Sequence, residues 1–401
     1  MASKPNLIKR IWLVFILGTI SATGPLSIDL YLPALPEMTK NLQTQASLVQ
    51  LSLSACLLGL AVGQLISGPL SDKYGRKKPL MLGFLIFGMV SLLIAASHSV
   101  YFLIALRFIQ GLAGASGQVL SRAIASDLFS GPLLTKFYAM LSAVNGIFPV
   151  ISPIIGGYII KYVEWQGVFI LLAIIGFLVT IAIWMGVGET LPLANRITGS
   201  PVNSIIEMLK LLKDSKFVKL VLVSGFIYGG LFSYISASSF VFQNYFHMNV
   251  ANFGFLYAMN GIGIAIGSAV PGLLANRISE ISQIRFVLGS TLITAIGLIM
   301  SWFFVNNLPI VIFLIFLTVF QFGMLFTLTT AVIMNLSLKN SGGISALLGL
   351  AQNAIGGIMS PIVGVMGSQT YLPMALSITI CIGISFLLFM TVNHHHSQSE
   401  R

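Results

Sequence analysis

Apolar residues run through this chain in long, nearly unbroken blocks separated by short polar breaks. A helix needs about 20 apolar residues to cross the hydrocarbon of a bilayer. By that measure twelve blocks predict membrane-spanning helices: 11–33, 47–70, 79–97, 100–126, 137–161, 166–187, 217–240, 253–275, 284–304, 308–334, 345–367 and 371–392. Most connections between them are short, which favours antiparallel neighbours. The exception is 188–216, which is polar and charged and divides the spans six and six. The expected fold is all-α and integral to the membrane. It comprises an N-terminal six-helix bundle over 1–187, a cytoplasmic central loop over 188–216 and a C-terminal six-helix bundle over 217–401. Within the loop, Ile205, Ile206, Leu209 and Leu212 share one helical face while Glu207, Lys210 and Lys213 share the other. That pattern suits either a helix lying on the inner leaflet or a plain linker.

The two sets of spans repeat each other. Gly59, Gly63 and Gly68 of span 2 recur in span 8 as Gly263, Gly267 and Gly272, each shifted by 204 positions. In span 5, Asn145, Ile147, Ser152, Pro153, Ile154 and Gly156 recur in span 11 as Asn353, Ile355, Ser360, Pro361, Ile362 and Gly364, each shifted by 208. Six spans is an even number, so equivalent spans point the same way. The repeat is therefore parallel, about an axis along the membrane normal, and suits a rocker-switch with its site between the halves.

Composition changes this picture little. Hydrophobic residues make up 56% and charged residues 8%, against roughly a quarter charged in soluble domains. The net charge of +11 would suggest nucleic acid in a soluble protein. Here all but three of the 21 Lys and Arg fall in the N-terminus, the even-to-odd loops and the C-terminus. Lys40 and Lys161 lie on the other side and Arg107 inside a span. That asymmetry predicts two cytoplasmic termini and excludes a nucleic-acid footprint. Cys56 and Cys381 lie in apolar spans and read as packing residues. The first span shows no clear cleavage site, and His394, His395 and His396 form a short polar tail.

Candidate chemistry starts at Asp29, the one carboxylate inside a span. Charge in hydrocarbon is costly and usually marks a substrate, ion or proton pathway. Gly18, Ser21, Ala22 and Pro25 share its face. Its expected counter-charge is Arg107, which heads a stripe with Gly111, Gly114 and Gln118 and has Gln110 at its edge. Both groups fall in the outer half of the membrane, within reach of each other. On the cytoplasmic side, Gly68 to Lys78 reads G-P-L-S-D-K-Y-G-R-K-K. Its glycines permit tight turning, and Asp72 can accept bonds from Arg76. Span 5 carries Gly146, Pro149, Pro153, Gly156 and Gly157, a set that kinks a helix and lets another approach. Tyr31, Gln64, Gln110, Asn145, Tyr228, Phe232, Tyr234 and Asn260 are candidates to line an aromatic, mostly neutral cavity, with buried packing the alternative for each.

These runs carry a resemblance. Gly68 to Lys78 resembles the loop signature of the major facilitator superfamily, in which the Asp joins a charge network latching the outward-facing shape. Gly68, Asp72, Gly75 and Arg76 are then latch residues, with Asp127 a further member. Arg107-x2-Gln110-Gly111 resembles a signature of proton-coupled members. Pro153-x2-Gly156-Gly157 resembles the antiporter signature of drug exporters, with Ser152 where that signature often has Gly. Together with Asp29-x-Tyr31-Leu32-Pro33 and Phe232-Ser233-Tyr234-Ile235-Ser236, the chain resembles the Bcr/CflA (bicyclomycin and chloramphenicol resistance) drug exporters.

That resemblance implies a proton-driven exporter of small amphipathic drugs in a bacterial inner membrane. Asp29 and Arg107 would couple the proton, no cofactor beyond the proton gradient would be needed, and the chain would work as a monomer. A metabolite symporter on the same fold is the first rival, and a receptor or channel the second. An enzyme is not expected, because no Ser-His-Asp set, metal cluster or phosphate loop appears, and His98 and His247 are isolated.

Overall fold

The structure, a computed structural model, describes residues 7–129, 148, 150–196, 206, 210–274, 277–336, 341–367 and 369–392. They form helices α1 (Leu7–Asp29), α2 (Ala46–Tyr74), α3 (Lys77–Ala95), α4 (Val100–Leu128), α5 (Val150–Tyr162) and α6 (Gln166–Gly186). After the central segment come α7 (Ser215–Phe240), α8 (Val250–Leu274), α9 (Glu280–Phe304), α10 (Leu308–Met334), α11 (Ser341–Met366) and α12 (Leu372–Met390). Ten of the described helices are long and apolar enough to cross a membrane, and α1 and the shorter α5 complete the twelve.

Helix limits follow local chemistry. Asp214 starts α7 by accepting from the backbone N–H groups of Lys216 and Phe217, and Ser279 does the same for α9 through Ser282. Such caps satisfy donors that the first helical turn leaves unpaired. Span 1 was expected to reach residue 33, but α1 stops at Asp29. Pro33 has no N–H to give and restricts Leu32 before it. The chain therefore turns through a 3-10 segment, Leu32–Ala34, into a short helix, Leu35–Asn41. The central segment's expected surface helix lies largely outside the described residues. What is described ends in a 3-10 turn at Lys210–Lys213, with Ile206 and Leu212 exposed.

Packing repeats along the chain. Helix α2 lies on α4 as α8 lies on α10, and α3 lies on α6 as α9 lies on α12. The repeated glycines make the first of these pairs. A Cβ at Gly59 would run into the Phe108 carbonyl and one at Gly267 into the Phe320 carbonyl, so only glycine lets these backbones meet. Between the first six helices and the last six, α2 packs along α11. Gly254 of α8 lies against the Pro153 carbonyl of α5, and Gly157 against the Val250 carbonyl. Large apolar side chains such as Trp184, Leu273, Phe286, Phe313 and Val365 face outward, as a lipid-facing surface requires.

Candidate functional site

A cavity of about 940 Å³ lies between α1, α2 and α4 on one side and α7, α8, α10 and α11 on the other. Along α2 its wall runs from Leu57 to Asp72, roughly 22 Å at 1.5 Å per residue. The deep end holds Asp29 with the rings of Tyr228, Phe232, Tyr234 and Tyr257. The end near the α2–α3 loop holds Gly68, Asp72 and Arg122. Beyond Asp29 the two sets of helices close. Gln50 Nε2 donates to the Ser236 carbonyl at 2.9 Å, Ser360 Oγ to the Gln50 carbonyl at 3.2 Å, and Gln243 Nε2 to the Pro33 carbonyl at 3.2 Å. Gln243 sits in a π-helical turn, Val241–Tyr245, that extends α7.

Asp29 and Arg107 do not pair. The ion pairs among the described residues are Arg76–Asp72, Arg76–Asp127 and Arg196–Glu189. Asp29 Oδ1 instead accepts from the Tyr257 hydroxyl at 3.1 Å, a bond from α1 across to α8. Tyr257 stacks on Tyr234 at 6.0 Å between centroids, and the Tyr234 hydroxyl accepts from Asn260 Nδ2 at 2.7 Å. Arg107, with no exposed surface, is off the cavity wall. Its guanidinium lies 4.4 Å from the Tyr31 ring centre, 5.7 Å from that of Phe169, and donates to the Ser27 carbonyl and to Gln110 Oε1. Cation–π contact and carbonyl acceptors do here what a carboxylate was expected to do. Arg107 Nε and Nη2 are buried without a hydrogen-bond partner.

Two residues expected on the cavity wall belong to this Arg107 setting instead. Tyr31 follows the end of α1, so its ring turns back beneath Arg107 and its hydroxyl meets Ser52 Oγ at 2.9 Å. Gln110 is fully buried and joins Arg107 to Ser91. Gln64, Tyr228, Phe232, Tyr234 and Asn260 do line the cavity, while Asn145 lies outside the described residues. Gln118, on the stripe with Arg107, reaches the wall and accepts from Gln64 Nε2 at 2.8 Å. Tyr257 was missed. The signal was its position three residues before Asn260, which places both on one face of α8.

Asp72, Arg76 and Asp127 of the expected latch come together, within the first six helices. Gly75 turns the chain at φ +90°, where a side chain is strained. Arg76 then bonds Asp72, Ser71 Oγ and, at 3.0 Å, Asp127. Its pKa stays above the ordinary arginine value: burial acts against it, and the two carboxylates outweigh burial. The Arg76 backbone N–H donates to Glu189 Oε1 at 2.8 Å, and Thr190 Oγ1 donates to Asp127 at 2.9 Å. These bonds tie α2, α3 and α4 to the segment after α6. They do not bridge to α7–α12, and the cavity lies open beside Asp72. Of the span-5 set, Gly146 and Pro149 lie outside the described residues. Gly156 lets α5 close on the Leu30 carbonyl, while Pro153 and Gly157 face α8.

Residues 14–361 match the Major Facilitator Superfamily. The chain is 39% identical over 391 residues to an uncharacterized MFS-type transporter, YdgK, of Bacillus subtilis, covering 97% of each. It is 29% identical to a bicyclomycin resistance protein homolog of Haemophilus influenzae, covering 96% of this chain and 97% of the relative. It is 26% identical to multidrug resistance protein D of Escherichia coli, covering 88% of each. Among solved structures, a bacterial homolog of the human lysosomal transporter Spinster superposes with a TM-score of 0.78 at 15% identity, covering 97% of this chain and 98% of that one. A D-xylose–proton symporter superposes with a TM-score of 0.74 at 16% identity, covering 96% and 97%. At such identities these two establish the fold.

Proposed function

Since the chain belongs to the Major Facilitator Superfamily and is a multi-pass membrane transporter of small molecules, we propose that it exports amphipathic drug-like compounds in exchange for protons. One observation carries this reading: the carboxylate of Asp29 lies on the cavity wall and is tied across the two sets of helices by Tyr257. A group so placed meets both cargo and proton, and its state is felt by both halves. Hydrogen bonds to an ionised carboxylate are roughly twice as strong as neutral ones. Protonating Asp29 therefore loosens the tie between α1 and α8, and removing the proton restores it.

In this reading, residues 1–187 and 217–401 rock about the cavity. The charge asymmetry of the loops supports both termini and the cavity mouth facing the cytoplasm of a bacterial inner membrane. Cargo enters beside Asp72 while Gln50, Ser236 and Ser360 hold the outer end shut. Gly156 and Gly157, at the contacts of α5 with the end of α1 and with α8, are the expected pivots of reopening.

The test uses purified protein in liposomes enclosing a pH-sensitive dye, with a drug panel added under an imposed pH gradient. Drug-dependent proton movement in wild type, absent in Asp29→Asn, is the expected result. Equal movement in both would place coupling elsewhere. Proton movement with a sugar or amino acid and with no drug would replace export by nutrient transport.

A further inference from the structure

Two acceptors are left over at the deep end of the cavity, beside the hydroxyls of Tyr228 and Tyr234, whose protons have no described acceptor. Asp29 Oδ1 accepts from the Tyr257 hydroxyl, and no described hydrogen bond reaches Oδ2. Asn260 spends Nδ2 on Tyr234, and its Oδ1 has no partner although the residue is 1% exposed and lines the cavity. An amide oxygen buried without a donor is destabilising, and a donor arriving with a ligand relieves that. Around these acceptors stand four aromatic rings, with Tyr228 5.4 Å from Phe232 and 5.0 Å from Phe326.

Among the described residues no cation balances them from the wall. Arg107 is turned away from the cavity, over the Tyr31 ring. The other charged wall residues, Asp72 and Arg122, stand together at the opposite end and oppose each other in sign. An anionic ligand reaching the deep end would therefore meet a carboxylate with no compensating charge. An uncharged ligand would leave the ionised form of Asp29 without a counterion.

We infer that the cavity selects organic cations: compounds with an ammonium centre on an aromatic or aliphatic body. The ammonium takes the Asp29 carboxylate, the rings of Tyr228, Phe232, Tyr234 and Tyr257 face its positive charge, and Asn260 Oδ1 accepts a ligand N–H. Asn260 is then a specificity-determining residue that favours protonated amines over quaternary ones. This inference rests on the export reading and narrows its substrate class.

Binding to the full-length protein in lipid nanodiscs, measured by equilibrium dialysis at pH 7, tests it with four matched probes. They are an aryl-alkyl trimethylammonium, the corresponding primary amine, the tert-butyl hydrocarbon of the same shape and the corresponding carboxylate. Both cations should bind at least ten-fold more tightly than the hydrocarbon, and the carboxylate most weakly. Asp29→Asn should remove most of the trimethylammonium's advantage over the hydrocarbon, with retained hydrocarbon binding reporting an intact cavity. Asn260→Leu should weaken the primary amine several-fold and leave the trimethylammonium unchanged. Equal binding of cation and hydrocarbon by wild type would overturn the inference, as would tighter binding of the carboxylate. The same probes in the liposome assay separate the two claims. Proton movement driven by uncharged drugs alone overturns the cation preference and leaves export standing. Cation binding with no proton movement supports the preference and overturns proton exchange.

Discussion

Glu189 carries much of the charge cluster at the mouth. Burial alone would push its carboxyl up, but the backbone N–H groups of Leu191, Arg76 and Lys77, with the Arg196 guanidinium, hold it below its ordinary value of 4.5. A carboxyl held low in the folded chain stabilises that chain fully above pH 4.5, and the contribution is lost as the pH falls through the depressed folded value. Glu189→Ala removes an acceptor from partly buried N–H groups, an effect of about 1–2 kcal/mol. The unfolding midpoint of the solubilised protein should therefore drop by a few degrees at pH 7. The gap to wild type should narrow as the pH is lowered through the carboxylate range, and identical midpoints at pH 7 would remove Glu189 from the cluster. Nothing in the sequence marked this residue, because its partner Arg76 is 113 positions away and a carboxylate after a span is ordinary. Asp29 and Arg107 were legible because charge inside hydrocarbon is rare. Their partners were not, since a guanidinium is satisfied by rings and carbonyls as well as by a carboxylate.

For the helices, the informative feature is the glycine repeat. Helix propensity alone says that Gly→Ala stabilises, by up to about 1 kcal/mol. At Gly59 and Gly267 the added methyl meets a backbone carbonyl of the neighbouring helix, which cannot yield as a side chain can. Gly59→Ala and Gly267→Ala should each destabilise the protein by roughly 1–3 kcal/mol, read as a lower unfolding midpoint and a lower yield of monodisperse protein. Gly272→Ala is the control, because a Cβ there meets nothing within 4 Å, and it should be neutral or stabilising. If all three behave alike, the close approach of α2 to α4 and of α8 to α10 does not depend on glycine. The repeat itself was plain in the sequence, because spacing is conserved between the halves even where side chains differ. The end of α1 was misplaced by apolar patterning, which continues through Leu32 although Pro33 stops the helix.

Across the whole molecule the distinguishing property is that the cavity is closed at one end and open at the other. Which end is open could not be read from spans, since it depends on pairs such as Gln50 and Ser236, 186 residues apart. Cys56 and Cys381 are buried, so introduced cysteines report access cleanly. Ser345→Cys, on the cavity wall, should react with a membrane-impermeant maleimide in inside-out vesicles and stay unlabelled in intact cells. Ser236→Cys, buried at the sealed end, should be protected from both sides in this conformation. Labelling of Ser345→Cys from the outside alone would reverse the proposed orientation. The closed end also sets the terms for any inhibitor. A blocker arriving from the medium meets Gln50, Ser236 and Ser360 shut above the cavity. Under the proposed orientation and export function, it must already be inside the cell before it reaches Asp29, and there it is itself cargo. Blockade thus becomes a race between entry and expulsion, in which slow departure from the aromatic wall counts for more than tight binding alone.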